Sequence, residues 1–388
     1  MEAHLNSLAQ ARDGKRIAFL FAHLHKGGMQ KAVSNISCAL PSHFKQYIVF
    51  FGTENPGFEY SGEMVNLDAA GDPGSGAVRK AANFLHRRRR LQQFIDDNRI
   101  DTVVSFGEAA NIVNTLTRRK RTVLSVRVSI EEGLADTGGY AAIYRAMVKR
   151  LYRRADKIVA VSEALARQLN GLYGVPSDIV QVIYNLYDIN KIQRLSKEAI
   201  PASMNAIFDA PTLITVGSLV YQKGHEFLIR GFAAAKQKIP ELQLVIVGRG
   251  ELQARLQEIA TEMRVAECVH FLGFDTNPYK YLARSRVFAL TSRFEGFPNV
   301  LAEAMICGLP VIATDCPTGP REILGDSEYG ILLPDITDQN ARQVESQLAA
   351  SIGTMLQPEC GRRYAAQSGL RAADFSHDRL IRKWVEVL

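Results

Sequence analysis

The chain has 388 residues, 47% of them hydrophobic and 22% charged. This suits two or three folded domains and excludes a disordered, collagenous or coiled-coil protein. Net charge is +7 and unevenly spread: 27 Lys and Arg stand against 18 Asp and Glu through residue 195, and 20 against 22 beyond it.

No apolar run approaches the ~18 residues that span a bilayer. The first sixteen residues, with Glu2 and Asp13 among them, do not read as a secretory leader, so the expected location is the cytosol. Five cysteines (38, 268, 307, 316 and 360) form no Cys-x-x-Cys pair and are read as reduced thiols.

In chain order, apolar runs predict strands at Arg16–Phe21, Tyr47–Phe50, Thr102–Ser105, Thr122–Val126, Lys157–Val161 and Gln181–Ile183. Between them, helical spacing fits Gly28–Ala39, Val78–Asp97, Ala109–Thr117, Tyr140–Arg154 and Glu163–Leu172. The stretch Asn185–Asp209 lacks a strong period, contains Pro201 and is expected to be the hinge. A second series follows, with strands at Thr212–Val216, Gln243–Val247, Val269–Leu272, Val287–Thr291, Val311–Ala313 and Gly330–Leu332. Its helices fit Glu226–Lys238, Glu251–Met263, Tyr279–Ala283, Val300–Ile306 and Asn340–Met355, and Asp378–Leu388 is amphipathic. Short apolar strands alternating with amphipathic helices predict an α/β protein of two doubly wound parallel-sheet units. Ligands of such sheets bind beyond the carboxyl ends of the strands, so one cleft built from both halves is expected.

The basic excess lies in His86–Arg90, Arg118–Arg121 and Lys149–Arg154. A basic half asks for an anionic partner: nucleic acid, acidic headgroups or a phosphorylated substrate. A solvated helix face would account for any single run.

Several chemistries drop out. There is no phosphate-binding Gly-x-x-x-x-Gly-Lys-Ser/Thr loop and no Asp-x-Asp pair for a phosphate-bridging metal, and His225-Glu226 lacks the second His of a zinc hydrolase helix. His23 and His25 share a strand end without a carboxylate or thiol nearby, so no metal is expected. Gly248-Arg249-Gly250 follows a strand, but Gln253 stands at the third glycine position. This is weak evidence for a dinucleotide and better evidence for backbone approaching a phosphate or sugar.

The informative segment runs from Ser292 to Met305. Pro298 sits near the start of a predicted helix, where its missing N–H costs nothing. The N–H groups of Asn299, Val300 and Leu301 then open toward an anion. Glu295 and Glu303, eight residues apart, flank that start. Carboxylates accepting from hydroxyls beside amides donating to phosphate would suit a phosphorylated, polyhydroxylated ligand. Taken alone, Glu295 as a helix cap and Glu303 as an exposed residue would serve equally.

The Glu-x7-Glu spacing within Glu-Gly-Phe-Pro-Asn-Val-Leu-x-Glu-Ala resembles the signature of the retaining GT-B glycosyltransferases of family 4. Gly217-Ser218-Leu219-Val220-Tyr221-Gln222-Lys223-Gly224 is similar to that family's Gly-Arg-Leu-x-x-x-Lys-Gly loop. Leu244–Gly250, Val269–Phe274, Arg153–Ser162, Ile183–Asn185 and Gly27-Gly28 match it in order.

The resemblance implies two Rossmann-like domains facing across a cleft. It implies an acceptor domain over 1–195, a nucleotide-sugar domain over 196–372, and a helix over 373–388 packing back toward the first. It implies that Glu303 binds the donor ribose and that Glu295 holds a hydroxyl of the donor sugar, beside the backbone of Phe297, Pro298 and Asn299. Val300 and Leu301 amides with Lys223 would hold the diphosphate, within a donor site that includes Gly217 and Gly248. Leu272 and Phe274 would frame the base, and Gly27-Gly28 would let backbone approach the donor or acceptor.

Two positions depart from the pattern. Ser218 replaces the usual Arg, leaving Lys223 more charge to meet. Arg127 stands where many members have a His after the fourth strand; it cannot be a base but can bind hydroxyls or phosphate.

The implied reaction moves a hexose or N-acetylhexosamine from a nucleotide-diphosphate sugar, most commonly UDP-linked, to a saccharide acceptor. Glu295, Lys223 and Arg127 carry the catalytic roles, and neither metal nor cofactor is needed. A GT-B sugar phosphorylase or nucleotide-sugar epimerase is the alternative enzyme. A nucleic-acid binder is disfavoured because no recognised motif is present and aromatics do not interleave the basic runs. The cations of Arg87–Arg90 beside Phe84, Leu85, Leu91 and Phe94 suggest a helix lying on an anionic leaflet. That suits a polyprenyl-diphosphate-linked acceptor in surface polysaccharide assembly, such as lipopolysaccharide or exopolysaccharide.

Overall fold

The computed structural model describes residues 14–23, 27–52, 57–69, 77–118, 120–131 and 140–388, with backbone alone for 77–81 and 140. Glu2, Asp13, His25 and Arg119, all used above, lie outside the described residues. The chain divides into two compact units, one formed by the residues up to Leu186 with His377–Leu388, the other by Tyr187–Ser376.

The first unit is a seven-stranded parallel sheet of β1 (Arg16–Phe21), β2 (Lys45–Phe50), β3 (Glu63–Asn66), β4 (Thr102–Phe106), β5 (Arg121–Val126), β6 (Lys157–Ala160) and β7 (Val180–Val182), in the order β3-β2-β1-β4-β5-β6-β7. Its helices are α1 (Gly28–Ala39), α2 (Ala77–Asn98), α3 (Glu108–Thr115), α4 (Tyr140–Leu151) and α5 (Glu163–Tyr173).

Strand side chains alternate between faces, and both faces of β1 are apolar, so both need cover. Ile17, Phe19 and Phe21 pack with Val33 and Ile36 of α1. Ala18 and Leu20 pack on the other side with Leu91, Phe94 and Ile95 of α2. No strand is expected from the sequence at β3, an edge strand whose four residues are exposed or half-exposed and so carry no apolar pattern.

The second unit is a six-stranded parallel sheet of β8 (Thr212–Val216), β9 (Gln243–Val247), β10 (Val269–Gly273), β11 (Val287–Leu290), β12 (Val311–Thr314) and β13 (Ile331–Leu333), ordered β10-β9-β8-β11-β12-β13. Its principal helices are α6 (Ile189–Ser196), α7 (His225–Lys236), α8 (Gln253–Glu262), α9 (Asn299–Ile306), α10 (Pro320–Leu324), α11 (Ala341–Leu356) and α12 (Pro358–Ala372). The strand core of Leu213, Leu244, Ile246, Ala289 and Ile312 is joined by Phe232 of α7 and Leu348 of α11.

The expected boundaries are corrected at both crossings. The chain passes into the second unit after Leu186, not after residue 195. The reason is α6: Asp188 caps it, accepting from the Lys191 N–H at 2.8 Å, and Asn277 holds its end by donating to the Leu195 carbonyl at 2.9 Å. The return occurs at His377 rather than 373, because Ala373–Phe375 forms a turn of the second unit and the Tyr187 N–H bonds the Phe375 carbonyl at 2.9 Å.

The last helix, α13 (His377–Val387), covers the α1 face of the first sheet with Leu380, Trp384 and Val387, an i, i+4, i+7 stripe. Its end is held where Thr102 Oγ1 donates to the Leu388 carbonyl at 3.0 Å and Arg121 Nε to Val387 at 2.9 Å. Among the described residues no helix is long and apolar enough to cross a membrane.

Candidate active site at the carboxyl ends of the second sheet

In the second unit, the loops after β8, β9, β10, β11 and β12 all emerge at the carboxyl edge of one parallel sheet. Gly217–Leu219 and Gly248–Gly250 run side by side there, with Gly217 N–H bonded to Val247 and Leu219 N–H to Arg249, both at 3.0 Å. That approach requires glycine: a Cβ on Gly248 would lie 1.8 Å from the Gly217 carbonyl oxygen.

The Lys223 stem lies across Gly217, and its ammonium meets Glu295 Oε1 at 2.5 Å. Ser292 Oγ donates to the same oxygen at 2.7 Å. Both partners are largely shielded, with side-chain exposures of 18% for Lys223 and 7% for Glu295.

Two loops are tied together to make this pair. Gln222 Nε2 donates to the Phe294 carbonyl at 2.9 Å, and the Arg293 N–H to the Gln222 carbonyl at 2.8 Å. Gly224, left-handed at φ +57°, approaches Thr291 so closely that a Cβ would sit 2.2 Å from its carbonyl oxygen. Thr291 Oγ1 in turn donates to Gly224 at 3.0 Å. Arg293 locks the arrangement: Nη2 meets Glu226 Oε1 at 2.9 Å, and the guanidinium lies 4.2 Å from the Tyr221 ring centre and 4.6 Å from that of Phe227. The Glu295 carbonyl accepts from Thr318 Oγ1, and Ser292's accepts from Thr314 Oγ1 at 2.7 Å.

Helix α9 opens beside this pair. Pro298 is the cap residue itself, one position earlier than the first helical turn. Tyr187 Oη donates to Asn299 Oδ1 at 2.7 Å. The Leu301 N–H is bonded to the Pro298 carbonyl at 3.1 Å, which corrects the expectation that it opens toward an anion. Glu303 is buried to 1% exposure, so the reading of it as an exposed residue fails. Phe297 packs edge-on to Phe375 at 5.5 Å, leaving only its backbone for a ligand.

At the β9–β10 side the register slips between Phe271 and Gly273, so Leu272 has no partner of its own in β9. Phe274 beyond it is 48% exposed. Ser218 is exposed and offers no charge. Arg249 instead brings a guanidinium against Gly273, where a Cβ would lie 3.3 Å from its Nε. Among the described residues no group of three or more His, Cys, Asp or Glu could hold a metal ion.

Gly27, Gly28 and Arg127 lie in the first unit. Gly27 is extended and caps α1, which begins at Gly28. Arg127, at the end of β5, is 7% exposed, donates to Ser125 Oγ at 3.3 Å and lies 6.0 Å from the Phe106 ring centre.

The cationic run of α2 is largely absorbed by the fold. Arg87 Nε donates to the Ala69 carbonyl at 3.0 Å, Arg88 to Leu116 and Arg90 to Leu67, both at 2.9 Å. Three of the four cations of the expected membrane-facing run Arg87–Arg90 are thereby tied to the fold, while Arg89 is exposed. Lys120 is likewise turned inward onto Thr122 and Asn114, with burial holding its ammonium down to about 7.

Sequence reasoning missed Arg293, Ser292, Tyr187, Arg249 and His225. His225 follows the Lys223-Gly224 turn, is 2% exposed, and is held down to about 4, first by burial and then by the Lys223 charge. A polar residue two positions past that lysine, at a helix start, was the available signal.

Residues 196–350 match the family model described as glycosyl transferases group 1, and residues 26–191 match that of glycosyltransferase family 4. An uncharacterised glycosyltransferase of Methanocaldococcus jannaschii is 30% identical over 334 residues, covering 78% of this chain and 82% of the relative. The N-acetylgalactosamine-N,N'-diacetylbacillosaminyl-diphospho-undecaprenol 4-alpha-N-acetylgalactosaminyltransferase of Campylobacter jejuni is 25% identical over 379 residues, covering 96% and 99%. Among solved structures, Anabaena HepE in complex with UDP superposes with a TM-score of 0.75 at 19% identity, covering 96% and 98%; this likeness is one of fold.

Proposed function

The chain belongs to family 4 of the glycosyltransferases, and on that premise we propose a retaining, metal-independent transferase that moves a hexose or N-acetylhexosamine from a UDP-sugar to a saccharide carried on a polyprenyl diphosphate. The observation that carries the reading is the shielded Lys223–Glu295 pair, 2.5 Å apart beside the start of α9 with Glu303 buried within that helix.

A buried carboxylate is costly to leave unpaired, so Lys223 holds Glu295 in place before substrate arrives. An incoming diphosphate competes for the lysine with two negative charges. Lys223 and the first amides of α9 then bind the diphosphate, and Glu295, still held by Ser292, accepts from a hydroxyl of the donor sugar. Glu303 accepts from the ribose, and Leu272 and Phe274 border the base. As the glycosidic bond lengthens, charge grows on the leaving diphosphate, where Lys223 is most effective, so the contact lowers the barrier more than it tightens binding. Retention follows from attack on the same face, with a diphosphate oxygen taking the acceptor's proton. Arg127 is assigned to the acceptor.

UDP is preferred because the Anabaena neighbour is complexed with UDP. A lipid-linked saccharide is preferred because the Campylobacter relative is named for a diphospho-undecaprenol substrate. The enzyme then works at the cytoplasmic face of a membrane, in assembly of a bacterial surface polysaccharide. The test is a panel of UDP- and GDP-sugars scored for nucleotide release with and without EDTA, and the anomeric configuration of the product read by NMR. An inverted product, or activity lost in EDTA and restored by manganese, would refute the mechanism.

A further inference from the structure

The face of α4 and the turn that follows it differs from the basic run of α2. Residues 140–154 contain five cations and no acidic residue. Arg145 is spent within the fold, bridging Glu131 at 2.5 Å. Lys149, Arg150, Arg153 and Arg154 are exposed and make no side-chain hydrogen bond or ion pair among the described residues. Ile143, 61% exposed, shares their side of the helix.

At 3.6 residues per turn the four cations and Ile143 fall within an arc of roughly 140°. Val148 and Leu151 hold the opposite side in the core. The Arg153 guanidinium reaches Gly174 at the end of α5, where a Cβ would lie 2.7 Å from its Nη2. That brings it near Leu172, 54% exposed two residues earlier. Cations and isolated aliphatic side chains thus occupy one surface, with no acid among the exposed residues of the helix.

We infer that this face of α4 docks the protein on an anionic lipid bilayer, with Ile143 and Leu172 entering the headgroup boundary. The chemistry selects a lipid surface over nucleic acid: the exposed members are aliphatic and cationic, and Tyr144 and Tyr152 turn their hydroxyls inward, so among the described side chains of the segment no ring platform faces outward for a base. The inference rests on the lipid-linked acceptor proposed above, and it moves the contact from α2 to α4.

Each cation near such a surface multiplies partitioning about fivefold. The variant Lys149→Gln/Arg150→Gln/Arg153→Gln/Arg154→Gln is therefore expected to bind phosphatidylglycerol-containing vesicles roughly several hundredfold more weakly at low salt. Ile143→Ser is expected to weaken binding a few fold, with less salt dependence. Cosedimentation of the full chain with anionic and with phosphatidylcholine vesicles, at low and high salt, reads both. Unchanged thermal unfolding checks the fold, and the pair Lys149→Gln/Arg150→Gln serves if the quadruple variant unfolds.

Nucleotide release from UDP-sugars without membranes is measured in parallel and is expected to be equal in all variants. Wild type that ignores anionic vesicles, or a quadruple variant that binds as wild type does, overturns the inference. RNA retardation at physiological salt that the quadruple variant loses, without vesicle binding, overturns it in favour of nucleic acid. Vesicle binding that follows the prediction in a protein that releases no nucleotide supports the docking face while removing the transferase reading.

Discussion

Replacing Arg293 with methionine would leave Lys223 and Glu295 chemically intact and remove what holds them opposite each other. The guanidinium makes one charge-assisted contact with Glu226 at 2.9 Å, with side-chain exposures of 15% and 22%, and lies over two rings at 4.2 and 4.6 Å. A charge-assisted hydrogen bond of this kind is worth about 1.5–3 kcal/mol and each ring contact about 0.5–1 kcal/mol. On the order of 2.5 to 5 kcal/mol thus hold the 291–295 loop against Tyr221 and the first turn of α7. The backbone bonds between Gln222 and residues 293 and 294 survive the change, so the turn is loosened rather than lost. Displacement of a charge-stabilising group by about 1 Å costs on the order of a hundredfold in rate. The expected result is kcat reduced by roughly that factor, with donor KM nearly unchanged. A double-mutant cycle with Lys223→Met decides the cause. If Arg293 acts through Lys223, Arg293→Met costs little more in the Lys223→Met background. Equal losses in both backgrounds would show that Arg293 does not work by placing the lysine.

Glu303→Ala should raise donor KM by about ten- to a hundredfold, as expected for losing one charge-assisted bond to ribose, with the α9 helix retained; unaltered donor KM in steady-state assays would remove Glu303 from the donor site. His225 supplies an acid-stability prediction. The unfolded histidine takes up a proton near 6.5, whereas the folded one resists until about 4. Its contribution is therefore complete above about 6.5 and declines as pH falls, reaching a loss of roughly 3 kcal/mol near pH 4. Urea midpoints for His225→Gln should fall less steeply than wild type over that window; identical slopes would mean that His225 does not titrate with unfolding.

The sheets were legible because both faces of nearly every strand are covered, which writes each strand as an uninterrupted apolar run. Legibility ended where cover ends. β3 has solvent on most of its residues, and α12 holds Gly361, Gly369 and an exposed Leu370, so its stripe is faint. Helix α6 was hidden differently: Ile189, Ile192 and Leu195 had the spacing, but a short helix beside Pro201 looked like linker. At the candidate site, Glu295, Glu303 and the Gly248–Gly250 turn stood out by their own spacing, whereas Lys223, Gly217 and Gly27-Gly28 were marked only by the family resemblance. Arg293 and Tyr187 were marked by neither, because their partners lie 67 residues away at Glu226 and 112 residues away at Asn299. No local pattern encodes such a contact.

Charge was the least legible property, and the reason is a matter of carbonyl supply. Arg87, Arg88 and Arg90 sit on α2 where chain segments leaving secondary structure present the carbonyls of Leu67, Ala69 and Leu116. Backbone acceptors at such ends lack partners within their own element, and an arginine fork meets them without giving up its charge. The Lys149–Arg154 run instead closes α4 and the turn after it, where among the described residues no such acceptor meets its four exposed cations. Two runs of nearly equal density therefore have opposite consequences, one closing the fold and the other leaving charge at the surface. Density of Lys and Arg in a sequence reports how many cations a unit carries; the carbonyls left open by its own connections decide how many remain available to a partner.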